Sequence, residues 1–177
     1  MLNQAAADLL LDHLDLLADL ERSLPVLDFA CGTGRNGLAL AEQSITVVFA
    51  DQSSSALQGV EQQLRETSLP GRIRQVDLEQ PGSKPLAKQC FAAIIGFRYL
   101  HRPLFPALKS AVMPGGLIVY ETFTTGQRRF GRPNNPDFLL QPGELAAEFE
   151  NWEIIYHFEG VQAEPERCVA QIVARKP

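Results

Sequence analysis

The chain has few cysteines, no long apolar run and no surplus of positive charge, and each shortage removes a class of protein. The three cysteines, Cys31, Cys90 and Cys168, are widely spaced and odd in number. They fit neither a metal-ligand spacing nor a disulfide framework, which suits a reducing cytoplasm. Nowhere do about 18 apolar residues run together, and the first residues lack a basic flank followed by an apolar stretch. Neither a membrane span nor export is expected, and a cytoplasmic location is. Against 21 Asp and Glu stand 16 Lys and Arg, a net charge of −5. That balance disfavours an extended phosphate-binding surface, so nucleic acid is not an expected partner. No internal repeat or low-complexity segment is visible. With 45% hydrophobic residues over this length, residues 1–177 are expected to fold as one domain with a full core.

Residues 4–22, within an N-terminal segment 1–24, read as one amphipathic helix. Ala6, Leu10, Leu14 and Leu17 share a face, and Asp8, Asp12, Asp15 and Asp19 line the opposite one. Four aspartates invite a metal reading, but oxygen-ligand sites converge from loops, so a solvated face is expected and no metal. Strands are expected at 25–30, 45–50, 72–77, 91–97 and 115–121, all parallel. Helical periods fill 35–43, 53–68 with Ser53 as N-cap, and 103–112. Pro81, Gly82 and Pro85 make 78–90 a loop-like crossover. A helix at 142–149 precedes strands at 152–159 and 167–175, whose short turn with Pro165 joins them antiparallel.

The most informative stretch is V-L-D-F-A-C-G-T-G-R-N-G, Val26 to Gly37, a buried strand that runs into a glycine-rich turn opening a helix. Glycines let backbone amides approach a ligand, and the free N–H groups of the helix start point at whatever lies above the turn. Asp51 closes the second strand 19 positions after Gly32, near the spacing of an acid that hydrogen-bonds ribose hydroxyls. A nucleoside is therefore expected. Gly32, Gly34 and Gly37 also satisfy G-x-G-x-x-G, so an NAD-dependent oxidoreductase is the rival. Two features pull away from it. Asp28 puts a carboxylate inside the first strand, suited to an ammonium group on the ligand or, alternatively, to backbone N–H groups of the turn. Only residues 122–177 follow the fifth strand, too few for a substrate domain.

The third feature is a set of motifs. The chain resembles the class I S-adenosylmethionine-dependent methyltransferases in V-L-D-F-A-C-G-T-G, the acid of V-F-A-D-Q-S, V-D-L-E after the third strand, and A-V-M-P-G-G-L-I-V-Y-E through the fifth. Within that family, G-T-G-R-N-G-L-A-L-A is similar to the small tellurite-resistance-type methyltransferases. The resemblance, over about 25–177, implies an α/β, Rossmann-like class I methyltransferase fold. Its seven-stranded sheet would be mostly parallel with an antiparallel last strand and helices on both faces. It implies S-adenosylmethionine as cofactor and S-adenosylhomocysteine as product. Gly32 and Gly34 would floor the methionine part, Asp51 would clamp the ribose and Gln52 would flank the adenine. Asp77 would accept the adenine amino group beside the Leu78 backbone, or else cap its own turn. The Phe97 carbonyl, with Asp28, would hold the ammonium. Ala30 stands where many relatives have glycine, and a small residue still fits.

Candidates for the acceptor side lie at the carboxyl ends of strands, where open α/β sheets place ligands. Tyr99 and His101 are candidate catalytic groups, His101 as a base near neutral pH or as a capping group. Arg98 and Arg102 would hold an anionic acceptor or pair with Glu121 or Glu144. Glu121 and Thr122 end the fifth strand. Residues 123–141 have no clear periodicity and read as a lid, anchored by Phe123, Phe130, Phe138, Leu139 and Leu140. Its Arg128, Arg129 and Arg132 favour an acidic or oxyanionic acceptor, or are solvated. The expected function is methyl transfer from S-adenosylmethionine to a small molecule, by a monomer or homodimer. A non-catalytic S-adenosylmethionine-binding module is the other alternative. Cys31 is expected to pack in the turn without chemistry.

Overall fold

The computed structural model describes residues 5–21, 23–80, 86, 88 and 90–177. Pro81, Gly82 and Pro85 of the expected loop-like crossover lie outside the described residues. Seven strands form one sheet: β1 (Val26–Phe29), β2 (Val47–Asp51), β3 (Gly71–Gln75), β4 (Phe91–Phe97), β5 (Val112–Phe123), β6 (Glu153–Gln162) and β7 (Arg167–Arg175). Their order is β3-β2-β1-β4-β5-β7-β6. β1 pairs in parallel with both β2 and β4, while β7 is antiparallel to both β5 and β6, so β7 alone runs against the rest. The short hairpin between β6 and β7 requires that reversal, since a parallel return needs a crossover of a dozen residues or more.

β1 and β2 are apolar at nearly every position because both faces of the sheet centre are covered. One face packs Leu27, Phe29, Ile94 and Tyr120 against Leu104, Phe105, Leu145 and Phe149. Those last four belong to α5 (Phe105–Ala111), the 3-10 turn Arg102–Leu104 before it, and α6 (Glu144–Glu148) with its C-cap Phe149. The opposite face packs Val47, Phe49 and Ile95 against α3 (Arg35–Glu42) and α4 (Ser54–Thr67). The outermost strands differ: β3 and β6 are largely exposed.

Several boundaries move for local reasons. Ser53 caps α4 as expected, its hydroxyl accepting from the Ala56 N–H at 3.3 Å. The single helix expected over 4–22 is instead two short helices, α1 (Asp8–Leu11) and α2 (Leu14–Ala18). His13 sits between them at φ −120°, with its ring Nδ1 2.8 Å from the Leu9 carbonyl and the ring packed 5.1 Å from that of Tyr156. A side chain that takes the carbonyl four residues back competes with the helix ladder and interrupts it. Leu10 and Leu17 are buried while Asp8, Asp12, Asp15 and Asp19 are exposed. Among the described residues no group of acids, histidines or cysteines is placed to hold a metal ion, and no helix is long and apolar enough to cross a membrane.

Residues 123–141 are more ordered than their sequence suggests. Thr124 bridges Leu140, 3-10 turns span Thr125–Arg129 and Pro136–Phe138, and Leu139 and Leu140 are fully buried. Phe138, an expected anchor, is instead 49% exposed, because the turn that buries Leu139 directs it outward.

Candidate active site

The chain reverses hand as it leaves β1. Ala30, Gly32 and Gly34 all take left-handed φ values, of 50°, 55° and 74°, and Gly34 is the N-cap of α3. For Ala30 that conformation costs about 1–2 kcal/mol, which explains why glycine suits the position. At Gly32 a Cβ would meet no atom within 4 Å, so the upper surface of the turn is bare backbone. At Gly37 a Cβ would lie 2.8 Å from a carboxylate oxygen of Asp28. The bare Cα lets the Gly37 N–H donate to that oxygen at 2.9 Å.

Asp51 braces the same turn from β2. One of its oxygens accepts from the Gly32 N–H and the other from the Ser53 N–H, both at 2.8 Å. A carboxylate offers about four lone-pair sites, so two remain for a ligand. Asp77 accepts from the Glu79 N–H at 2.9 Å and so caps its own turn, and Tyr99 donates to the Glu79 carboxylate at 3.2 Å.

Two cavities open side by side above these groups, of about 210 and 180 Å³. The larger is walled by Asp51, Gln52, Asp77, Leu78, Glu79 and Tyr99. The smaller is walled by Asp28, Cys31, Gly32, Thr33, Arg35 and Asn36. Ala30, Phe97 and Arg98 border both, so they form one bent crevice across the ends of β2, β1 and β4. Together they enter the about 300–1,000 Å³ range of small-molecule sites. The crevice sits where the chain switches from building the sheet toward β3 to building it toward β5, the topological position expected for a ligand.

Its electrostatics are uneven. Asp28 is 2% exposed, and burial raises its carboxyl to about 7. The Gly37 N–H opposes that rise, while the Asp51 charge adds to it and Arg35 subtracts from it. The Tyr99 phenol is pushed well above its ordinary value by burial and by the Glu79 charge, so it is a hydrogen-bond donor rather than a base. Burial likewise raises the Cys31 thiol, which keeps it inert.

The acceptor-side candidates scatter. Arg98 borders both cavities and holds φ at 58°, a conformation rare for a non-glycine residue, with its N–H donating to the Glu121 carbonyl at 2.8 Å. His101 precedes the 3-10 turn without a side-chain capping bond and borders neither cavity. Arg102 is not free to hold an acceptor. It bonds both oxygens of Glu144, at 2.6 and 2.8 Å, and the carbonyls of Leu139 and Asp137 at 2.9 and 3.1 Å. That ion pair raises the arginine and lowers the carboxyl. Glu121 is buried beside Gln171, which donates to it, with Arg167 at 3.8 Å. Arg128, Arg129 and Arg132 are exposed and border neither cavity, and Arg129 lies 5.5 Å over the Phe130 ring. Glu79, Arg35 and Asn36 were not among the expected site residues, although V-D-L-E and G-T-G-R-N contain them.

A family model described as "Methyltransferase domain" matches residues 26–116, from the first strand to the start of the fifth. The chain belongs to that family. The fold of this methyltransferase-domain protein is similar to that of TehB from Haemophilus influenzae, with a TM-score of 0.78 at 17% identity over 98% of this chain. The match spans 63% of the TehB chain. It is also similar to an S-adenosylmethionine-dependent methyltransferase from Mesorhizobium loti, with a TM-score of 0.71 at 16% identity over 96% of this chain and 99% of that one. A third is geranyl diphosphate C-methyltransferase from Streptomyces coelicolor A3(2), solved with S-adenosylhomocysteine: TM-score 0.68, 15% identity, 93% of this chain and 75% of that one. No curated protein matches the chain in sequence. Family and fold agree with the class I S-adenosylmethionine-dependent methyltransferase expected from the motifs.

Proposed function

We propose that the crevice binds S-adenosylmethionine and that the protein transfers its methyl group to a small anionic molecule. One observation carries this reading: every residue expected to touch the cofactor except Gly34 borders the two adjoining cavities, and Gly34 caps the helix beneath them. The donor set fits the ligand. Asp51, Asp77 and Gln52 in the larger cavity suit hydroxyl and amino donors of a nucleoside. Bare Gly32 admits the methionine chain, and Asp28 with the Phe97 carbonyl suits its ammonium. A dinucleotide fits worse, because its pyrophosphate would lie over the turn against the buried Asp28 carboxylate.

When bound, the cofactor supplies a methyl carbon on a sulfonium, open to in-line displacement. The chain's own contribution is to align the partners and exclude water, potentially about 7 kcal/mol or more of the barrier. Tyr99, in the wall of the larger cavity, serves as a positioning group, and His101, which borders neither cavity, has no contact with the crevice to act through. The net charge of −5 supports a small molecule over nucleic acid, and the free cysteines support a reducing compartment. Segment 123–141 is the proposed wall over the acceptor.

Thermal unfolding with S-adenosylhomocysteine and NAD side by side tests the reading. At a hundredfold excess over Kd the former should stabilise by about 2.7 kcal/mol, roughly 5–10 °C for a domain of this size. A shift with NAD and none with S-adenosylhomocysteine overturns it.

A further inference from the structure

Arg35, Arg98 and Arg167 come from distant parts of the chain and lie close enough for their charges to act on one another, with the buried Glu121 among them. Arg35, the first residue of α3, and Arg98, just past β4, both border the smaller cavity. Arg167, the first residue of β7, lies 3.8 Å from Glu121, the partner of Phe97 in the β4–β5 register. The Arg98 backbone N–H donates to the Glu121 backbone carbonyl, which sets the two residues side by side at the strand ends. The Arg35 guanidinium is lowered by burial and by its neighbours Arg98 and Arg167, with Glu121 and Asp28 opposing.

In a protein of net charge −5 this is a local excess of positive charge, three cations against the two carboxylates Glu121 and Asp28. Among the described residues Arg98 has no ion-pair partner. It also holds the left-handed backbone noted above, a form of strain that persists where surrounding structure enforces it and that clusters at ligand sites. A cofactor in the crevice brings one carboxylate, enough to answer one of the three arginines. Its ammonium is answered by Asp28. A positive charge is therefore left over on the acceptor side.

We propose that Arg98 and Arg167, oriented by Glu121, form the seat for a carboxylate or oxyanion on the methyl acceptor, with Arg35 left to the carboxylate of the cofactor. The seat rests on the reading of the crevice as a cofactor site. Arg167 is also part of the wall of a recess of about 330 Å³ along β6 and β7, where Tyr156, Phe158 and Val161 give an acceptor's carbon skeleton an apolar surface. Asp8 and Glu164 line the same recess and repel the acid group, which turns it toward the arginines. The exposed arginines of 123–141 are not needed for this recognition.

The experiment titrates benzoate, and separately inorganic sulfate, into protein saturated with S-adenosylhomocysteine, by calorimetry. Wild type should bind at least one of the two with a Kd in the millimolar range or below. Arg98→Met and Arg167→Met should each weaken that binding at least tenfold, Arg167→Lys should recover part of it, the S-adenosylhomocysteine Kd should stay within threefold in both Arg167 variants, and in Arg98→Met it should change far less than the anion Kd. Benzoate binding with no sulfate binding assigns the seat to carboxylates, and the reverse assigns it to oxyanions. Arg98 is exposed, so its variant is expected to fold even where loss of Arg167 beside buried Glu121 does not. Unchanged anion binding in Arg98→Met, or equal loss of anion and S-adenosylhomocysteine binding, overturns the seat. Failure of wild type to bind S-adenosylhomocysteine overturns the cofactor reading and the seat with it, whereas good S-adenosylhomocysteine binding with neither anion bound overturns the seat alone.

Discussion

The two flanks of the crevice carry opposite charge. On the β1–β2–β3 flank the charged groups lining the crevice are four carboxylates, Asp28, Asp51, Asp77 and Glu79, against one cation, Arg35. On the β4–β5–β7 side they are guanidinium groups: Arg98 at the crevice and Arg167 in the recess along β6 and β7, with Arg102 further out. A nucleoside with an ammonium group presents donors and positive charge, which suits the first flank. An acceptor with an acid group presents the reverse, which suits the second. On the proposed reading, the sheet's switch point separates two recognition tasks of opposite sign, so perturbing one flank should leave the other ligand's affinity nearly untouched.

The largest effect is expected on the acidic flank. Asp51→Ala removes the acceptor proposed for the ribose hydroxyls and also releases the Gly32 and Ser53 N–H groups that hold the turn. Hydrogen bonds to a charged group contribute about 1.5–3 kcal/mol. The S-adenosylhomocysteine Kd should therefore rise roughly 10- to 150-fold by calorimetry. Asp51→Asn, which keeps an acceptor for one N–H, should fall between. Binding of benzoate or sulfate at the basic flank should change far less. A cofactor affinity within threefold of wild type in the alanine variant would remove Asp51 from the site and erase the distinction between flanks.

A smaller effect comes from Asp28. In the free protein its carboxyl is raised to about 7 by burial, with the Asp51 charge adding to the rise and the Gly37 N–H and Arg35 opposing it. An ammonium ligand demands the ionised form. The affinity for S-adenosylhomocysteine should then fall by up to tenfold per pH unit below about 7 and level off above it, with proton release on binding at pH 6. Stability of the free protein runs the other way. The unfolded chain loses this proton near 3.8 while the folded one holds it to about 7, so the contribution is present below 3.8 and is lost as pH rises through 7. In Asp28→Asn both slopes should vanish. A pH-independent affinity in the wild type would mean that Asp28 serves only the Gly37 N–H.

How much of this was legible in the sequence differs between the flanks for a physical reason. The acidic flank is built by local geometry: a strand, a turn and a helix start within Val26–Glu42, then Asp51 at the end of the next strand. Glycine and aspartate at fixed spacing encode such geometry directly. The parallel strands were legible too, because burial on both faces writes continuous apolar runs. The basic flank is assembled from long-range partners. Nothing in the spacing of Arg98 and Arg167 announces that pairing of β5 with β7 brings Glu121 opposite Gln171 and within reach of Arg167. Charge clustered in sequence, at Arg128, Arg129 and Arg132, drew attention to an exposed segment instead. The break at His13 was hidden similarly, since the ring that takes the Leu9 carbonyl also packs on Tyr156, in a strand more than a hundred residues away.

The smallest expected effect sharpens the comparison by testing a basic residue that borders neither cavity. Arg102 belongs to the β4 side but spends its guanidinium on Glu144, Leu139 and Asp137, pinning the end of segment 123–141 to α6. Its side chain is 38% exposed and that of Glu144 25%, so solvent screens the ion pair and only part of its strength reaches stability. Loss of the clamp in Arg102→Met should cost about 1–2 kcal/mol, chiefly from two carbonyls left without their donor, and lower Tm by roughly 3–6 °C. The S-adenosylhomocysteine Kd should stay within twofold, because the clamp touches neither cavity. Hydrogen exchange should quicken at Leu139 and Leu140, whose amides lie behind the clamp, while Gly32 and Ser53 keep their protection. Should cofactor affinity drop along with Tm, the clamp would be coupled to the crevice, and Arg102 would have to be counted with the ligand-facing basic groups after all.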